Sequence, residues 1–133
     1  MNTFKNEHTI KVGGVEILLR PTFENIEAVE SNIGAISYIG WKYSSLNKTF
    51  EQKVKSLPPA TEIAKIIYFS QALRKEDGSP KLSLQEIWDL IIDNGIRKDL
   101  INDIVIFITK MTVGAKFLES EEKALAEEAE KKT

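Results

Sequence analysis

Apolar and polar residues alternate from Thr9 to Arg20, interrupted once by Gly13-Gly14. A two-residue Gly-Gly link between alternating segments predicts a tight β-hairpin, because the favoured turns need positive φ. The link sets the register. Val12 should oppose Val15 and Ile10 should oppose Ile17 on one face, while Lys11 and Glu16 should form a cross-strand ion pair on the other. Leu18 shares the face of Lys11 and Glu16, an unusual place for a large apolar side chain if that face is only wetted. An isolated hairpin is marginal in water, so the face carrying Ile10, Val12, Val15, Ile17 and Leu19 calls for a helix against it.

After Arg20 the period changes from two to 3.6. Pro21 disfavours the helical region at Arg20 and separates strand from helix. Thr22 is a good N-cap, and Glu24 sits in the first turn, where the helix dipole favours negative charge. Phe23, Ile26, Val29 and Ile33 form a stripe that ends at Gly34. Residues 35–46 predict a second helix, with Ile36, Ile39 and Tyr43 at helical spacing and Gly40 as its weak point. Residues 47–57 are polar without a clear pattern, and Pro58-Pro59 breaks them.

Thr61 is the expected cap of a helix running to about Arg74, buried along Ile63, Ile66, Ile67, Phe69 or Ser70, and Leu73. Residues 75–81 form a turn-rich loop. Ser83-Leu84-Gln85-Glu86 is a capping box that opens a helix carrying Ile87, Leu90 and Ile91 and ending at Gly95. A further helix starts near Lys98, with Leu100, Ile101, Ile104, Val105, Phe107, Ile108 and Met111 in two adjacent rows. Its 104–108 run is also rich in β-formers, so a strand is the competing reading. Gly114 marks a break. Residues 115–132 favour helix by composition but lose their apolar stripe after Leu118. The expected fold is α+β, mainly α: an N-terminal two-stranded antiparallel β-hairpin followed by about five or six helices. It comprises one domain over residues 1–118 and an acidic helical or frayed tail over 119–133.

Composition narrows the function classes. A chain of 133 residues with net charge −2 carries no global field that favours nucleic acid or an anionic membrane. The charge is uneven, since residues 119–133 carry −3 and the rest +1. There are no cysteines, which removes disulfides, thiolate metal sites and cysteine nucleophiles. No signal-peptide core is visible in the first seven residues. The longest apolar run is far short of the ~20 residues of a membrane span, so a soluble protein of the cytoplasm is expected.

Few residues point to chemistry. His8, the lone histidine, cannot build the usual zinc or iron site without cysteines and reads as a surface residue. Gly13-Gly14 lacks the spacing and strand-to-helix setting of a phosphate-binding loop. Glu24, Glu27 and Glu30 lie three apart on one helical flank, where a solvated face explains them better than acid-base or cation chemistry. Trp41-Lys42-Tyr43 mixes aromatics with a cation but has no basic surroundings. The helix–Gly95–helix segment suggests a helix-turn-helix, yet its second helix offers a packing surface to the groove of DNA. These residues predict no catalytic, cofactor or metal site, and a binding or assembly role.

The run from Val12 to Glu30, VGGVEILLRPTFENIEAVE, resembles the start of small phage tail assembly chaperones, in the branch that includes a gene-transfer-agent tail protein. The likeness lies in the Gly-containing hairpin, the Leu19-Arg20-Pro21-Thr22-Phe23-Glu24 motif and the acidic-apolar helix after it. It covers roughly a seventh of the chain; beyond it only length and helical character agree. The resemblance implies a non-enzymatic protein of the host bacterial cytoplasm that binds the tape measure protein and possibly the tail tube protein, with neither nucleic acid nor membrane as partner. It also implies, in some members, a longer frameshifted product. The alternatives are a structural tail component of the virion or a helical DNA-binding regulator. A helical client with apolar stripes needs apolar surface; the expected interface residues are Leu18, Trp41, Tyr43, Phe117 and Leu118, at least two of them substantially exposed.

Overall fold

The hairpin forms in the register that its Gly-Gly turn dictates. A computed structural model describes residues 7–44, 59–113 and 127. In it β1 (His8–Val12) and β2 (Val15–Leu19) pair antiparallel, with Val12 opposite Val15, Ile10 opposite Ile17 and Lys11 opposite Glu16. Gly13 and Gly14 take φ of 60° and 84°, conformations that side chains with a Cβ resist. Lys11 and Glu16 approach to 3.7 Å and are both largely exposed, so their pairing is worth little.

Five helices follow among the described residues: α1 (Phe23–Asn32), α2 (Ile36–Ser44), α3 (Ala60–Ser70), α4 (Leu84–Asn94) and α5 (Lys98–Val113). The architecture is mainly α with an N-terminal hairpin. Helix α5 runs through residues 104–108, which excludes the strand reading. Its Leu100, Ile101, Ile104, Phe107 and Ile108 are buried, the spacing of one helical face. They join Ile10, Val12, Ile17 and Leu19 of the hairpin, Val29, Ile39, and the Ile63, Ala64, Ile66, Ile67, Ile87 and Ile91 faces of α3 and α4 in one core cluster. The hairpin thus gains the helical cover it needs, with β1 packed on α4 and α5.

Local caps hold where the sequence marks them. Thr22 Oγ1 accepts from the Asn25 amide at 3.1 Å. Ser83 Oγ accepts from the Glu86 amide at 3.1 Å, and the Glu86 carboxylate accepts from the Ser83 amide at 3.1 Å. Hydrogen bonding to Ser83, the bond from its backbone amide foremost, holds the Glu86 carboxyl below its usual value. We expect Ser83→Ala to cost about 1 kcal/mol in denaturant unfolding, the usual worth of such a cap; an unchanged midpoint would contradict that role.

Three sequence expectations are corrected. Helix α3 starts at Ala60 with Pro59 as N-cap and no side-chain cap; Thr61 lies inside it, because the Pro59 carbonyl already accepts from the Glu62 and Ile63 amides at 3.0 and 3.3 Å. The helix stops at Ser70 instead of Arg74. There the backbone joins the outer edge of β2: the Arg20 amide donates to Ser70 O at 2.8 Å and the Ala72 amide to Leu18 O at 2.9 Å. Gln71, opposite Leu19, is extended, and its side-chain amide donates to Leu82 O (2.8 Å) while accepting from Leu82 N (2.9 Å). Phe23 is the third correction. It is 81% exposed, and α1 buries Asn25 and Val29 instead.

Two corners explain residues that looked idle. The Glu30 carboxylate accepts from the Ile36 amide at 2.9 Å, serving the first turn of α2. Gly40 faces α5 so closely that a Cβ there would lie 2.5 Å from Thr112 Cγ2. The glycine that weakened the helix prediction is where α2 and α5 meet.

Candidate protein-binding groove

Helix α3 places Thr61, Ala64 and Lys65 on one face, and α4 places Leu84, Gln85 and Trp88 opposite. Both sets follow helical spacing, so each helix contributes a continuous wall. Ala64 is 2% exposed and forms the floor, its small side chain leaving a groove of about 430 Å³ open to solvent. Leu84 is 37% exposed. Trp88 packs partly against the core and presents its remaining surface to the groove.

Polar groups on the groove are sparse and do not converge. The Gln85 side-chain amide donates to Asp89 Oδ1 at 2.9 Å. Among the described residues Lys65 is the one charged side chain lining the groove, and it forms no ion pair with any of them. Among the described residues the arrangement has apolar walls, one ammonium on the rim, and no pair of ionisable groups facing each other. It suits burial of another molecule's apolar surface.

Leu18 sits elsewhere. It is half-buried in a shallow cleft of about 70 Å³ along β2, with Val15, Leu73 and Leu82 among its neighbours. The 71–82 segment covers it, which is why an apolar residue is tolerated on the outer hairpin face. Trp41 and Tyr43 fall within α2, but their side chains lie outside the described residues, as do Phe117, Leu118 and the tail boundary at residue 118. Of the five expected interface residues, then, the structure places only Leu18, and not on the main groove. Trp88 and Leu84 were missed as surface residues. Their four-residue spacing on one helix was the available signal.

His8, expected from the sequence to be a surface residue, is largely buried instead, and its setting is structural. Its Nε2 is buried without a hydrogen bond and lies 3.7 Å from Asp103 Oδ1 on α5. Burial, with Lys110 adding to it, lowers the His8 pKa despite the opposing pull of Asp103. The unfolded chain therefore binds a proton more readily than the folded one between about pH 6.5 and the lower folded value. Stability contributed by neutral His8 is present above that pH and is lost as the pH falls through it towards the lower folded value. We expect His8→Gln to flatten the pH dependence of unfolding between pH 7 and 5; parallel curves for the two proteins would refute this.

Among the described residues no cluster of three or more His, Asp or Glu side chains could hold a metal ion, and no helix is long and apolar enough to cross a membrane. Comparison with family models, with curated proteins and with solved structures finds no match to this chain.

Proposed function

We propose that the protein is a phage or prophage tail assembly chaperone, acting in the host bacterial cytoplasm without catalysis by binding the tape measure protein and handing it to tail tube subunits. The supporting observation is the groove between α3 and α4, where Leu84 and Trp88 leave apolar surface open beside the core. A surface of this kind suits the apolar stripe of a helix laid along it. The resemblance over residues 12–30 supplies the identity of the client. It concerns the hairpin and α1, whereas the groove lies on α3 and α4, so the two supports are independent.

Co-expression decides between this reading and a structural tail component. Tagged protein should retain the tape measure protein from the same gene cluster, and purified particles should lack the chain. Its presence in stoichiometric amount in finished particles would assign it to the virion. Binding to DNA with strong salt dependence would favour the regulator instead.

A further inference from the structure

We propose that the α3–α4 groove selects an amphipathic helix whose apolar stripe is flanked by a carboxylate, with Lys65 as the residue that reads that charge. The inference rests on the chaperone reading for the source of the helix but adds the chemistry that chooses the segment. Thr61, Ala64 and Lys65 lie three and four apart on α3, opposite Leu84 and Trp88 on α4. An apolar helix side chain can settle between α3 at Ala64 and the Leu84–Trp88 wall of α4. Lys65 then stands at the groove's α3 rim, where its stem adds apolar cover and its ammonium remains accessible.

Charge complementarity singles out the occupant. Lys65 has no carboxylate partner among the described residues. The polar side chain across from it, Gln85, is engaged with Asp89. A bound helix with Asp or Glu beside its stripe completes an ion pair at the edge of a drying surface, where it is screened less than in open water. Lysine in the same place meets a like charge. The energetic core remains apolar, and the ion pair supplies discrimination.

The full chain contains two tryptophans, Trp41 and Trp88, so Trp41→Phe leaves Trp88 as the reporter. The probes are two 18-residue synthetic helices with one leucine stripe, flanked by glutamate in one and lysine in the other. In low salt the glutamate helix should shift Trp88 emission and bind at least tenfold more tightly than the lysine helix. Lys65→Glu should reverse that order, and Lys65→Gln should abolish it, with unfolding midpoints unchanged. Equal binding of the two helices, or an order unaffected by Lys65→Glu, overturns the proposal. Should Leu118→Ser with Leu125→Ser in the full chain raise the affinity for the glutamate helix, the groove belongs to the chain's own acidic tail, which also overturns it. A second copy as occupant would appear as peptide affinity that falls with rising protein concentration, with the same consequence. Capture of the tape measure protein is scored separately. Its persistence alongside any of these failures leaves the chaperone reading intact, and its loss while peptide selectivity survives removes that reading alone.

Discussion

Replacing Asn25 by alanine is expected to destabilise the fold by about 2–4 kcal/mol, a large share of the ~5–15 kcal/mol typical of a single domain. Asn25 is 3% exposed. Its Nδ2 donates to Arg20 O at 2.8 Å and to Gln71 O at 3.3 Å, and its Oδ1 accepts from the Arg74 guanidinium. One amide thereby ties the first turn of α1 to the end of β2 and to the segment laid along its outer edge. Truncation removes a donor from two carbonyls and an acceptor from a cation, in a place where water cannot substitute freely. Aspartate is no remedy. It keeps an acceptor for Arg74 but turns a carboxylate towards the two carbonyls that Nδ2 served. Both variants should lower the urea midpoint with an unchanged slope. A shift below about 0.5 kcal/mol for Asn25→Ala would show that the network is dispensable.

The same residue shows where sequence reasoning stops. The hairpin and the two capped helix starts were legible because their causes are local. Gly13-Gly14 carries the turn, Thr22 meets Asn25 three residues on, and Ser83 meets Glu86. Asn25 meets partners 46 and 49 residues away, and no spacing rule announces them. Reading Phe23, Ile26, Val29 and Ile33 as the inner stripe placed Phe23 inside; the tertiary network rotates the buried face towards Asn25 and Val29. The end of α3 failed for a related reason. Leu73 continues the helical pattern, yet the backbone at Ser70 and Ala72 finds better partners on the edge of β2.

The groove was partly visible. Thr61, Ala64, Lys65, Leu84 and Trp88 sit at regular helical offsets, but Thr61 reads as a cap and Leu84 as an interior member of the capping box. A cavity depends on what a neighbour fails to fill, and Ala64 as the floor between two helices is a fact of packing, not of pattern. Leu18 gave the opposite lesson. On the outer hairpin face it lines a shallow cleft together with the chain's own Leu73 and Leu82.

Trp88→Ala is expected to weaken capture of the tape measure protein by about 2 kcal/mol or more, roughly thirtyfold, if the groove is the docking site. Tryptophan at the centre of an apolar groove combines large area with few rotatable bonds, the reason such side chains dominate binding when truncated. The indole also packs partly on the core, so the variant loses some stability, and binding must be measured well below its unfolding temperature. Phe23→Ala supplies the control. Phe23 is far more exposed than Trp88 yet does not line the groove, so general stickiness predicts a loss of binding for it and groove docking predicts none. Leu18→Ser separates the two clefts. If it abolishes capture while Trp88→Ala does not, the client lies along β2 against Leu73 and Leu82, and the α3–α4 groove is not its seat.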